Sequence, residues 1–134
     1  MARDDAPPSR PLVLLVDDAT EETEMYSLAL AGEGFHTRCT ADIATALNIA
    51  ATARPDVVIA DLHLPHMNGY VLLESIGAEF RTRNIPVIVV TADASREARE
   101  KARTFRPAEF HVKPLLPELL VAAVRRVLGT EALA

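Results

Sequence analysis

Residues 55–69 read PDVVIADLHLPHMNG. A short apolar run, Asp56 to Ala60, stops at an acid, Asp61, with His63, Pro65 and His66 directly behind it. Short runs rich in Val and Ile, bounded by polar or turn residues, are how a strand covered on both faces reads. Two chemistries compete for the residues after that run. Asp61, His63 and His66 carry the side chains of a transition-metal site. Alternatively, Asp61 works alone at the mouth of a strand and the rest shapes the loop around it.

The same pattern recurs along the chain. Leu12 to Val16 (LVLLV) ends in Asp17-Asp18, and Pro86 to Val90 (PVIVV) ends in Thr91. Phe35 to Cys39 (FHTRC) alternates instead. Phe35, Thr37 and Cys39 fall on one side and His36 and Arg38 on the other, as in an edge strand. Glu109 to Val112 (EFHV) is a shorter fifth run, ending at Lys113. Helical patterns lie between them. Leu116, Leu119, Leu120, Ala123, Val124 and Val127 keep a helical period, with Pro117 in the first turn. Thr20-Glu21-Glu22 opens another helix, with Thr20 as a capping residue and two acids at the positive end of the dipole. Residues 41–53, 69–80 and 94–105 complete the set.

Strand then helix, five times, predicts an α/β fold with a parallel sheet and helices on both faces. Sites in open α/β sheets lie at the carboxyl ends of the strands. Asp17, Asp18, Asp61, Thr91 and Lys113 are therefore expected to converge on one edge.

Composition narrows the function classes. The chain has 134 residues, the size of one domain, and 49% are apolar, enough for a core. A net charge of −5 speaks against the basic face of a nucleic-acid binder. A lone cysteine, Cys39, allows no internal disulfide. No apolar run reaches the roughly 18 residues of a membrane helix, so no membrane partner is expected. The polar, proline-rich opening has no signal core and reads as a disordered tail over residues 1–10. The folded domain is expected over 11–129, with a short tail at 130–134 and a cytoplasmic location.

Three carboxylates brought together repel one another and need a cation. Hard oxygen ligands favour Mg2+, with Mn2+ as the substitute. Beside a lysine and a threonine hydroxyl, such a cluster suits a phosphoryl group. If one carboxylate is the nucleophile, the product is an aspartyl phosphate.

At these residues the chain resembles the receiver domain of two-component response regulators, over about residues 11–129. The resemblance rests on Asp17-Asp18 after the first strand, the D-x-x-x-P-x-x-N-G run from Asp61 to Gly69, Thr91-Ala92 after the fourth strand and Lys113-Pro114 after the fifth. It implies a flavodoxin-like, doubly wound sheet of order 2-1-3-4-5 with five helices, like the stand-alone chemotaxis regulators. It also implies a phosphorelay role. Asp61 is the phosphoacceptor. Asp18 binds Mg2+ directly, Asp17 through water or by holding the site, and the His63 main-chain carbonyl completes the protein ligands. Thr91 contacts the phosphoryl group and Lys113 pairs with it. Phe110 matches the aromatic switch position, and His63 and Asp93 match positions that tune phosphoryl lifetime. The Lys113-Pro114 bond resembles one that is usually cis. The implied partners are a histidine kinase or phosphotransferase and a downstream protein that reads the surface of residues 94–128. The chain assists its own phosphoryl transfer and is not expected to be an enzyme in the ordinary sense.

Plainer readings stand beside these. Asp17-Asp18 could cap a helix, Pro65 and Gly69 could be turn chemistry, Asn68 a helix cap, and Phe110 core packing. His36, His111 and Cys39 read as structural or solvated. Arg106-Pro107 departs from the glycine-plus-small pair usual before the fifth strand, and Pro107 is expected to hold Arg106 extended. A haloacid-dehalogenase-type phosphatase would need D-x-D-x-T after its first strand, which Asp17-Asp18-Ala19-Thr20 does not supply. A pseudo-receiver scaffold that never takes a phosphoryl group is the remaining alternative. Only GTEALA follows Leu128, so the direct output of this polypeptide is expected to be a protein–protein contact.

Overall fold

Three of the apolar runs become the centre of one parallel sheet. The computed structural model describes residues 10–64 and 67–129, with the backbone alone for Met67. The strands are β1 (Leu12–Val16), β2 (His36–Thr40), β3 (Val57–Ala60), β4 (Val87–Thr91) and β5 (Glu109–Val112). Their spatial order is β2-β1-β3-β4-β5, all parallel. The helices are α1 (Thr20–Gly32), α2 (Ile43–Thr52), α3 (Gly69–Ala78), α4 (Arg96–Arg103) and α5 (Pro117–Leu128).

Side chains alternate across a strand, so one apolar run feeds two cores. Val13 and Leu15 of β1 pack with Tyr26 and Leu30 of α1 and Leu120 and Val124 of α5. Leu14 and Val16 pack on the other face with Ile43 and Ile49 of α2, Leu72 and Ile76 of α3 and Ala102 of α4. This two-faced burial is why β1, β3 and β4 read as unbroken apolar runs.

The ladder registers set the site edge. Val16 pairs with Thr40 and with Ala60, and Thr91 pairs with Val112. One step further on, the Asp17 amide donates to the Thr40 carbonyl at 3.1 Å and the Asp61 amide to the Val16 carbonyl at 3.0 Å. The Lys113 amide donates to the Thr91 carbonyl at 2.8 Å. The last backbone bonds of the sheet thus anchor the residues that carry the chemistry.

Local expectations needed several corrections. The edge strand runs 36–40 rather than 35–39. Phe35 is buried before it, and Cys39 is exposed with its Sγ 3.1 Å from Ser27 Oγ, so the alternation fails at that end. The Thr20 hydroxyl caps nothing: Ala19 holds the cap position and the Asp17 carboxylate accepts from its amide at 3.0 Å. The middle helices are shorter than their periodic stretches because Asp42 and Ser95 cap α2 and α4 from inside them. Asn68 caps α3 as expected, accepting from the Tyr70 amide at 2.8 Å. The Lys113-Pro114 bond is cis. Arg106 is not extended: its φ is +53°, and Arg54 ahead of Pro55 has φ +50°. Arg54 directly follows the cap of α2, a place where the chain commonly turns left-handed, and Arg106 closes the turn after α4, its amide donating to the Arg103 carbonyl at 3.0 Å. That requirement overrides the pre-proline preference for extended backbone.

Gly69 is not turn chemistry either. It is the first residue of α3, and its amide donates to the Leu62 carbonyl at 2.9 Å. A methyl placed there would overlap the Asp61 carbonyl oxygen and lie 2.6 Å from Leu62 Cα and 2.8 Å from the Leu62 oxygen. Glycine is what lets the helix start against the strand exit. A short antiparallel pairing, His63 with Asn68 and Leu64 with Met67, closes the connection. Pro65 and His66 lie outside the described residues, as do residues 1–9 and 130–134 assigned to the tails.

Candidate functional site

β1 and β3, at the middle of the sheet, deliver Asp17, Asp18 and Asp61 to one place. A carboxylate oxygen from each lies within 4.8 Å of the others. Asp61 is buried, Asp17 half-buried and Asp18 exposed. β5 brings in Lys113, whose ammonium donates to Asp17 Oδ2 at 2.7 Å, Asp61 Oδ2 at 3.0 Å and Glu22 Oε2 at 3.1 Å. The other oxygens are used as well. Asp17 Oδ1 accepts from the Ala19 amide and Asp61 Oδ1 from the His63 amide, both at 3.0 Å.

Three carboxylates thus share one ammonium, with Asp18 beside two of them. Burial pushes the Asp17 carboxyl above its ordinary value; the bonds from Lys113 and Ala19 oppose that, and the Asp61 charge adds to it. For Lys113, burial works to lower the ammonium, but the bonds to Asp17, Asp61 and Glu22 outweigh it and hold the group above its ordinary value. Lys113 is a fixed cation here, with three hydrogens and three acceptors.

The all-oxygen donor set of Asp17, Asp18 and Asp61 fits a hard divalent cation such as Mg2+. The ring of His63 does not join it, and His66 lies outside the described residues. His63 is exposed and its Nε2 lies 3.0 Å from Asp93 Oδ2, turned across the site mouth. The two positions matched to lifetime tuning therefore touch each other.

Asp93 is further held by Ser95. Hydrogen bonding by Ser95, aided by His63, lowers its carboxyl to about 2. A depressed carboxyl contributes stability above its unfolded value, near 4, and loses it as pH falls through about 2. Carboxyl-carbon NMR of Asp93 is expected to show a midpoint of about 2. An ordinary midpoint would mean that the Ser95 and His63 contacts do not persist in solution.

Thr91, at the end of β4, is fully buried, and its Oγ1 accepts from the Asp93 amide at 3.3 Å. Phe110 of β5 packs against the core on the α2–α4 side, so its plain reading as packing holds. It also carries a contact that the sequence did not announce. The Arg99 guanidinium of α4 lies 4.8 Å from the centre of its ring. Glu22 was likewise missed, because an acid in a first helical turn already has a dipole role. Its place in the first turn of α1, directly after the strand-end acids, is the signal that would have found it.

Comparison with known proteins agrees with this geometry. The family model described as "Response regulator receiver domain" matches residues 13–125. The chain is 34% identical over 122 residues to the regulatory protein AtoC of Escherichia coli, covering 90% of this chain and 26% of AtoC. It spans half or less of the length of such curated relatives. The chemotaxis response regulator CheY4 of Vibrio cholerae superposes with a TM-score of 0.81 at 30% identity, over 88% of this chain and 98% of CheY4. The receiver domain of the sensor histidine kinase PA1611 from Pseudomonas aeruginosa, solved with a magnesium ion in its active-site cleft, superposes with a TM-score of 0.81 at 27% identity, over 90% and 98%. Among the described residues no helix is long and apolar enough to cross a membrane.

Proposed function

Since the chain belongs to the response regulator receiver domain family of two-component signalling, we propose that Asp61 accepts a phosphoryl group from a phosphohistidine on a histidine kinase or phosphotransferase. The observation that carries this reading is Lys113, bonded to Asp61 and Asp17 in a cluster whose carboxylates need a further cation. An Asp61 oxygen forms the new bond to phosphorus as the bond to the donor imidazole breaks. Asp17, Asp18, Asp61 and the His63 carbonyl would hold Mg2+, or Mn2+, which neutralises charge on the phosphoryl oxygens. Lys113 takes one of those oxygens and the Thr91 hydroxyl another. Water later attacks phosphorus and Asp61 leaves as the carboxylate, with His63 and Asp93 bordering its path.

Thr91 must move to reach the phosphoryl group, and Phe110 turns into the space it leaves. Phe110 then gives up its contact with Arg99. The surface of residues 94–128 changes and a downstream protein reads it, a local charge change biasing a two-state element.

The test is intact-mass spectrometry of the protein with acetyl phosphate, with and without Mg2+. One phosphoryl group is expected, only with the metal, and hydroxylamine removes it as it does an acyl phosphate. No gain with Mg2+ present would overturn the reading in favour of a scaffold that binds without phosphorylation.

A further inference from the structure

The Lys113 ammonium has three hydrogens, and each is given to a carboxylate: Asp17, Asp61 and Glu22. None is left for an arriving phosphoryl oxygen, so Lys113 must release a partner. Asp17 and Asp61 belong to the cluster that suits a cation, and they stay beside the reacting centre. Glu22 is outside that cluster. It comes from the first turn of α1, its bond to Lys113 is the longest of the three at 3.1 Å, and its side chain is the most exposed at 31%. It can swing to water at little cost.

We infer that Glu22 is a built-in competitor for Lys113, a positioning residue that parks the ammonium until a phosphoryl group displaces it. The inference rests on the phosphoacceptor reading above. In the resting protein Glu22 takes the third hydrogen. When Asp61 carries a phosphoryl group, its oxygen takes that hydrogen and Glu22 turns outward. When the group leaves, Glu22 recaptures Lys113. The residue thus sets how strongly the site holds a phosphoryl group without touching the reacting atoms.

Beryllofluoride, a stable phosphoryl mimic, tests this with Mg2+ present, by amide NMR titration of wild type and three variants. Glu22→Ala removes the competitor, and Glu22→Asp keeps the charge but falls short of Lys113. Glu22→Gln keeps the reach with a weaker, neutral acceptor. Affinity is expected to rise about three- to fivefold in the Ala and Asp variants, and less in Gln, the range of a partly exposed ion pair. Mg2+ affinity, titrated separately, is expected to change less than twofold. Two results would overturn the inference alone: unchanged or weaker beryllofluoride binding in Glu22→Ala, or Asp behaving as wild type with Gln matching Ala, which would assign the effect to charge. A wild-type protein that takes no beryllofluoride would overturn the phosphoacceptor reading and this inference with it.

Discussion

With acetyl phosphate and Mg2+, the Asp61→Asn protein gains no mass where wild type gains one phosphoryl group. An amide oxygen is a far poorer nucleophile than a carboxylate, and the other acids are not placed to substitute. Both oxygens of Asp17 are held, by Lys113 and the Ala19 amide, and Asp18 faces solvent. The same variant is expected to melt at a higher temperature than wild type when metal is absent. The cluster sets three carboxylates, with Asp18 beside two of them, against one ammonium, and the Asp17 carboxyl is pushed upward, by burial first and by the Asp61 charge in addition. A group whose folded pKa lies above its unfolded value adds stability below the unfolded value and loses it as pH rises through the folded one. At neutral pH Asp17 is therefore a cost, and neutralising Asp61 relieves part of it. Calorimetry should show the gain at neutral pH, shrinking below about pH 4. Saturating Mg2+, which wild type binds better, should narrow it. A retained mass gain would place the acceptor elsewhere. A lower melting point without metal would mean that Asp61 is worth more as a partner of Lys113 than it costs as a fourth acid.

Gly69→Ala is expected to be the most damaging single methyl in the chain. The added carbon meets the Asp61 carbonyl oxygen and the backbone of Leu62, not the movable tip of a side chain. Either α3 moves away from β3 or the strand exit bends. The cost is set at about 3 kcal/mol, the upper part of the range for overpacking, or roughly 10 °C in melting temperature for a domain of this size. Gly77 makes the control, since a methyl there meets nothing within 4 Å and the residue lies within a helix. Gly77→Ala should be neutral or slightly stabilising. Equal melting temperatures for the two variants would show that the Asp61–Leu62 backbone yields freely.

The parts of the fold that could be read from sequence are those where burial wrote a continuous signal. β1, β3 and β4 are covered on both faces, and every position but the terminal Thr91 is apolar for a reason. β2 is an edge, so only Phe35 carried weight and the strand slid by one residue. At Arg106 a correct local rule lost to a stronger one: the turn that follows α4 closes on the Arg103 carbonyl and needs a left-handed residue even before a proline. The strand-end acids, Thr91 and Lys113 were legible because topology alone gathers them. Glu22, the His63–Asp93 bond and the Arg99–Phe110 stack were not. Each depends on how far a long side chain reaches across space, and no local period records that.

Lys113 meets Asp17 across 96 residues of chain, Glu22 across 91 and Asp61 across 52. On the ribosome, the acids emerge long before the one cation that balances them. A nascent chain without β5 has the three acids but not the ammonium that bonds them. A chain clipped ahead of Lys113 is in the same condition. The ammonium is thus supplied last, at the end of the strand that completes the sheet, and if Asp61 is a phosphoacceptor, a chain that stops before β5 lacks the cation on which that role rests.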